Sequence, residues 1–295
     1  MRLVSYATPG EDDWRAGVVR GGDVIDAERA GAALAHDGFD FTTVRGVLAL
    51  GDRVGELAEA ATDAVPVGAA TSLVLGPPVP DPEKILCIGL NYTAHAEETK
   101  LDAPAVPTVF AKFRNSLVGS GAAIMVPPVA AAELDFEGEL AIVIGRRCSR
   151  VARADALKAV AGVMPLNDVS ARDLQMQTPQ WTAGKAVDTF APCGPELVLL
   201  DEIDDVQGLR LETRVNGETV QSATTAQMIF DVGQVVSFLS SFMTLEVGDI
   251  IATGTPAGVG FTRTPPWFLR AGDEVEVEIE GVGLLRNAVE HEASR

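Results

Sequence analysis

A ten-residue run, Asp135-Phe136-Glu137-Gly138-Glu139-Leu140-Ala141-Ile142-Val143-Ile144, sets the terms for the fold. Its second half is continuously apolar, as in strands covered on both faces, so the chain must supply layers on either side of it. Its first half alternates, and the two-residue period of a strand puts Asp135, Glu137 and Glu139 on one surface. That surface is either a solvated strand face or a row of carboxylates at the border of the core. In the second case a compensating cation is needed, and a hard divalent ion with oxygen ligands is the natural one.

The surrounding sequence is also rich in strands, predicted at 85–88, 123–126, 140–144, 197–200, 209–216, 249–251 and 274–279. One amphipathic helix is predicted over 231–242, where Val232, Val235, Val236, Phe238, Leu239 and Phe242 recur at spacings of three and four. So many strands and so few helices point to a mixed, β-rich α+β fold of the sandwich, roll or barrel kind, and not to alternating βαβ units. Ahead of them, Pro77-Pro78-Val79-Pro80-Asp81-Pro82 can sustain neither a helix nor a central strand. The segment 77–84 is read as a linker between a small N-terminal α+β domain at 1–76 and the main domain at 85–295. Within 1–76, short strands and tight turns are expected up to about Ala27, a helical stretch from Ala30 to Asp63 and a β-like piece from Val65 to Leu75.

Lys and Arg number 23 against 42 Asp and Glu, a net charge of −19, which argues against a nucleic-acid partner because phosphate neutralisation needs clustered cations. Cys87, Cys148 and Cys193 are far apart with no CxxC, so neither a disulfide framework nor a zinc knuckle is expected, and a reducing compartment fits best. No apolar run approaches the roughly 18 residues needed to cross a bilayer. Pro9, Glu11, Asp12 and Asp13 interrupt the N-terminus too early for a signal-peptide core. The expectation is a cytoplasmic protein with no membrane partner.

Further candidates lie elsewhere. Asp168, in Asn167-Asp168-Val169-Ser170-Ala171-Arg172-Asp173, falls where a predicted strand stops and offers either a third carboxylate ligand or a turn cap. In Gly89-Leu90-Asn91-Tyr92-Thr93-Ala94-His95-Ala96-Glu97-Glu98, His95 and Glu98 share a helical face. The carboxylate could orient the imidazole as a base, although such pairs also occur on solvated helices. Of the other histidines, His36 lies in an Ala-rich stretch and His291 in the terminal tail. Gly184-Lys185 follows Trp181, placing an ammonium near an aromatic in a loop, where it either meets an anionic substrate or faces solvent. Gly254-Thr255-Pro256-Ala257-Gly258-Val259-Gly260 is a glycine-rich loop whose N–H groups could hold a carboxylate, or simply a tight turn. It lacks Walker and dinucleotide-loop spacing, and the chain has no GxSxG or HExxH.

Taken in order, GLNYTAHAEE, FAK, DFEGELAIVIG, NDVSARDLQ, GKAVDTFAPCGP and GTPAGVG resemble the fumarylacetoacetate hydrolase (FAH) family over about residues 84–290. The resemblance implies an FAH-type β-sandwich roll, a homodimer, and a divalent metal, Mg²⁺ or Mn²⁺ (Ca²⁺ in some crystals), held by Glu137, Glu139 and Asp168. It further implies that His95 and Glu98 form a water-activating dyad on a mobile segment and that Lys185 contacts substrate. Thr255, Gly254, Gln175 and Lys112 match positions at or near the substrate, and Arg172 is given no role beyond support. The implied substrate is a small 2-oxo or 2,4-dioxo acid. Hydrolysis of a C–C bond in a 2,4-dioxo acid, an acylpyruvate or fumarylpyruvate, through a metal-stabilised enolate is the reading that the intact HxxE pair favours. Decarboxylation of an oxaloacetate-type 2-oxo acid and isomerisation of a hydroxy-diene-dioate use the same site. A reading of another class is a non-catalytic ligand-binding relative that has kept the fold.

Overall fold

In the computed structural model the apolar run forms the strand Gly138–Ile144, buried along its whole length. Residues 1–292 are described apart from 12, 33, 35–37 and 131. His36 and part of the helical stretch predicted after Ala30 therefore lie outside the described residues. Gly138–Ile144 sits within an eleven-stranded sheet. From edge to edge its order is Gly68–Ala69, Asp23–Asp26, Arg15–Arg20, Arg2–Ala7, Leu197–Leu199, Val160–Asn167, Gly138–Ile144, Ile250–Ala252, Ile85–Gly89 and Thr108–Lys112. Val74–Leu75 is added beside Arg2–Ala7. The ladder is antiparallel except where Ile250–Ala252 meets Ile85–Gly89. A second, five-stranded sheet runs Glu218–Thr224, Arg210–Val215, Glu274–Ile279, Gly283–His291 and Ile124–Val126.

The two faces of the central strand explain why it is apolar throughout. Leu140, Ile142 and Ile144 pack with Leu211 and Ile279 of the second sheet and with Val232, Val235, Val236 and Leu239 of the helix Val232–Phe242. Ala141 and Val143 face the other way, into a cluster with Val44, Val47, Leu48 and Leu57 from N-terminal helices. Full burial of each such aliphatic side chain contributes roughly 1.5–3 kcal/mol, so a polar residue on either face would be costly. The helix Val232–Phe242 starts at Asp231, whose side chain and that of Gln234 form a reciprocal capping box.

The N-terminal strands belong to the large sheet: Arg2 pairs with Val198 and Leu3 with Leu197. The expected strands and the helix are present with ends shifted by one or two residues, save at one place that matters for the site. Period two, applied from Asp135 onward, treats the acidic run as one strand. The structure instead breaks it after Leu134–Asp135, a two-residue strand paired to Ser170–Ala171. The ladder resumes at Gly138, opposite Asn167. Across the break the Glu137 N–H donates to the Asn167 side-chain oxygen at 3.0 Å and Asp168 N–H to the Glu137 carbonyl at 2.8 Å. Gly138 is required there, because a Cβ would lie 2.0 Å from Thr213 Oγ1.

Candidate metal centre and active site

The register just described brings Asp168, one residue past the strand Val160–Asn167, beside Glu137 and Glu139 of the neighbouring strand. One oxygen from each of the three carboxylates lies within 4.8 Å of the others, and all three residues are buried. Asp135 is separated from them by the strand break. Its carboxylate accepts N–H groups from Phe136, Gly260 and Phe261 and pairs with Arg172 at 2.8 Å. The even alternation therefore singles out two of its three acids for the cluster, and the third serves as a loop anchor.

Lys185 ends the short helix Thr182–Lys185 and is buried, where the sequence suggested a loop. Its ammonium donates to Glu137 Oε2 at 2.8 Å and to Asp168 Oδ2 at 2.7 Å, and lies 5.1 Å from the ring centroid of Phe110. Trp181, the aromatic singled out in the sequence, packs edge-on against Phe110. Lys112 reaches the cluster from the far side: its ammonium is 2.7 Å from Asp168 Oδ1 and donates to the carbonyls of Val169, Lys185 and Phe190. Arg172 pairs with Glu137 at 2.6 Å, donates to Gln175 Oε1 at 2.8 Å, and stacks over Phe261.

These contacts polarise the acids unequally. Burial opposes the ionised form of Glu137, but Lys185 and Arg172 outweigh it and hold its carboxyl well below the usual range. Burial, with repulsion from Asp168 and Glu137, drives the Glu139 carboxyl well above that range. Burial also pushes the Lys112 ammonium down, whereas Asp168 and Glu137 overcome burial at Lys185 and hold it up.

The donor set fits a hard divalent ion. It consists of carboxylate oxygens, Glu139 has no ion-pair partner among the described residues, and the buried Asp168 Oδ1 accepts no well-directed hydrogen bond. Glu139 Oε2 accepts one N–H, from Gly254 at 2.8 Å. A buried carboxyl left this way is either protonated or matched by a further cation.

A cavity of about 250 Å³ opens onto this cluster. His95, Glu137, Glu139, Arg172, Gln175, Lys185 and Thr255 line it, with Phe110, Trp181 and Phe261 among its apolar walls. Asp168, Lys112, Glu98 and Gly254 do not line it but contact Lys185, His95 and Glu139, which do. His95 and Glu98 lie on the helix Thr93–Glu98, with His95 Nδ1 2.7 Å from Glu98 Oε1. The Nδ1 contact leaves Nε2 for the cavity. The helix is fixed by Asn91, whose side chain donates to the carbonyls of Phe230 and Thr253 and accepts the Phe230 N–H.

The glycine-rich loop holds carboxylates through its N–H groups, and they are the protein's own. Gly254 N–H donates to Glu139, Gly258 N–H to Glu98, and the Gly260 and Phe261 N–H groups to Asp135. Gly254 adopts φ +104°, and a Cβ there would lie 2.6 Å from Asn91 Cβ. Thr255 Oγ1 donates to the Gly138 carbonyl and accepts from Gln221 Nε2. Asn91, Phe110 and Phe261 were not legible in the sequence as part of the site. Asn91 acts through contacts 139 and 162 residues away, and the two rings meet the site through Trp181 and Arg172, so no local pattern carries them.

Residues 84–290 match the family described as fumarylacetoacetate (FAA) hydrolase C-terminal. The mitochondrial oxaloacetate tautomerase of Rattus norvegicus is 42% identical over 292 residues, covering 98% of this chain and 91% of the relative. The fumarylacetoacetate hydrolase of psychrophilic Exiguobacterium antarcticum superposes with a TM-score of 0.84 at 34% identity, covering 99% of this chain and 100% of that one. The maleylpyruvate hydrolase of Sphingobium sp. SYK-6, solved in complex with manganese(II) ion and pyruvate, superposes with a TM-score of 0.81 at 31% identity, with the same coverage. Motif order, sheet topology and full-length likeness agree: the chain belongs to the fumarylacetoacetate hydrolase family.

Proposed function

We propose that the protein is a divalent-metal-dependent enzyme that moves a proton between carbon and oxygen of a small 2-oxo acid, with keto–enol tautomerisation of an oxaloacetate-type substrate as its reaction. The observation that carries this reading is one cavity lined by a carboxylate-backed imidazole and by Glu137 and Glu139, two members of a cluster of three buried carboxylates. Glu137, Glu139 and Asp168 would hold Mg²⁺ or Mn²⁺, and the manganese-containing relative supports that choice of ion. When bound, the ion supplies Lewis-acid stabilisation of negative charge on the substrate's oxygen.

The chain's own groups divide the remaining work. Glu98 accepts from His95 Nδ1–H, which fixes the tautomer with a free lone pair on Nε2. That nitrogen takes the proton on the carbon beside the 2-oxo group, the C–H electron pair forms the carbon–carbon double bond as the carbonyl π pair moves onto the 2-oxo oxygen, and the proton is then returned to that oxygen to give the enol. Tautomerisation needs no water and no bond cleavage beyond C–H. Lys185 and Gln175, in the cavity lining, would bind the anionic end of the substrate and Thr255 would contact it, while Gly254 and Lys112 would hold Glu139 and Asp168 in position. The oxaloacetate tautomerase relative supports this reaction.

A second reading, hydrolysis of the C–C bond in a 2,4-dioxo acid, is favoured by the likeness to the maleylpyruvate hydrolase. There the His95–Glu98 pair would take its proton from water. Following the enol absorbance of oxaloacetate, and analysing products from acylpyruvates and maleylpyruvate by mass spectrometry, separates the two. Tautomerisation predicts faster enol decay with oxaloacetate recovered intact. Pyruvate plus a carboxylic acid from the dioxo acids, with no acceleration on oxaloacetate, would replace it by hydrolysis.

A further inference from the structure

Glu98 is held at both oxygens, and only one of these contacts belongs to the dyad. Oε1 faces His95 Nδ1 at 2.7 Å. Oε2 accepts the Gly258 N–H at 2.9 Å and lies 3.1 Å from the Thr262 hydroxyl, whose hydrogen it shares with the Val259 carbonyl at 3.0 Å. Glu98 is a partly exposed side chain at the end of a six-residue helix, so without these donors it has rotamers that turn away from His95.

The loop that supplies the donors is fixed at its other end to the carboxylate cluster. Gly260 and Phe261 donate to Asp135, Asp135 pairs with Arg172, and Arg172 pairs with Glu137. Arg263 ties the loop down by donating to the carbonyls of Gly258 and Val220. The path has no slack for side chains at its glycines. A Cβ at Gly258, whose φ is +110°, would lie 2.2 Å from the Val220 carbonyl oxygen, and one at Gly260 would lie 2.0 Å from that of Trp267. Segment 258–262 is therefore a short rigid span with the dyad's carboxylate at one end and the Asp135–Arg172–Glu137 chain at the other.

We propose that Thr262 is a positioning residue. Its hydroxyl, together with the Gly258 N–H, fixes the rotamer of Glu98 and so sets His95 against the carboxylate cluster. The proposal rests on the role given to His95 above.

The test compares Thr262→Val and Thr262→Ser with Glu98→Gln in the full-length, Mg²⁺-loaded protein, using oxaloacetate tautomerisation and the NMR resonance of the His95 ring Nδ1–H, assigned by its loss in His95→Asn. Loss of one hydrogen bond to a charged acceptor predicts a kcat about tenfold lower for Thr262→Val with KM little changed. Thr262→Ser should keep wild-type kcat, thermal melting should be the same for all three Thr262 proteins, and the Nδ1–H resonance should move in Thr262→Val and not in Thr262→Ser. Wild-type kcat in Thr262→Val alongside a loss in Glu98→Gln would overturn the proposal, as would equal losses in the Val and Ser variants. If Glu98→Gln also kept its kcat, the base assignment would be the part that failed. The resonance would then decide: movement in Thr262→Val upholds positioning, and no movement overturns it.

Discussion

Replacing Lys112 by Met tests whether the carboxylate cluster depends on a buried cation that lies outside the cavity lining. Met keeps the length of the unbranched stem and removes the ammonium. In the native protein the ammonium of this buried residue donates its three hydrogens to the carbonyls of Val169, Lys185 and Phe190 and lies 2.7 Å from Asp168 Oδ1. Removing it leaves three carbonyls without that donor and Asp168 compensated by Lys185 alone. Breaking one side of a buried ion pair costs about 3–5 kcal/mol, and each buried acceptor left without a donor about 1–3 kcal/mol, with the contributions overlapping at one site. The expected loss is about 4 kcal/mol, or a melting temperature lower by about 6 °C for a chain of 295 residues. Denaturant unfolding in the presence of a chelator, so that no divalent ion contributes, measures it. Adding Asp168→Asn to Lys112→Met should cost less than the sum of the two single changes by about 1.5–3 kcal/mol, because the charge left unpaired by the first is removed by the second. A loss under about 1 kcal/mol for Lys112→Met, or strict additivity in the double variant, would show that the cluster does not depend on the Lys112 ammonium.

Two further outcomes follow from the same contacts. In the N-terminal region, burial pushes the Asp26 carboxyl up, but hydrogen bonds from Arg15, Tyr6 and the Arg29 N–H outweigh it and hold it below its ordinary value of 3.8. The stabilisation it brings is therefore complete above pH 3.8 and lost as pH falls further, so the penalty of Asp26→Asn in denaturation should be full at pH 7 and shrink below pH 3.8. A penalty that stayed constant across that range would contradict this. At the cluster, Glu139→Gln should weaken Mn²⁺ binding at least about tenfold by electron paramagnetic resonance while leaving the circular dichroism unchanged; undiminished binding would remove Glu139 from the ligand set.

What could be read along the chain and what could not divide on physical grounds. The pairing of Glu137 with Glu139 was legible because a strand's period is two and because the run that follows is apolar on both faces, which puts its carboxylates beside the core. The exclusion of Asp135 was not, since the break at 136–137 is made by the Asn167 side chain and by the crowding of Gly138 against Thr213, both distant in sequence. His95 and Glu98 were legible as an i, i+3 pair on one helix. That Glu98 also meets Thr262 was not, because the contact spans 164 residues. Lys185 shows the same limit: its residue type suggested an anion partner, but its burial between Glu137 and Asp168 is set by the meeting of a short helix with two strands. The pairing of Arg2 and Leu3 with Val198 and Leu197 likewise has no local signature.

If His95 and the carboxylate cluster act on one substrate, the exchange of the oxaloacetate C3 hydrogens into D₂O reports it, followed by NMR with the Mg²⁺-loaded protein and with its His95→Asn and Glu139→Gln variants. Exchange should be rapid in the native protein and about 10²–10⁴-fold slower in His95→Asn, as expected for a missing general base. Glu139→Gln should also lose exchange, and excess Mg²⁺ should partly restore it. Exchange in the His95→Asn protein at the native rate would contradict that joint action.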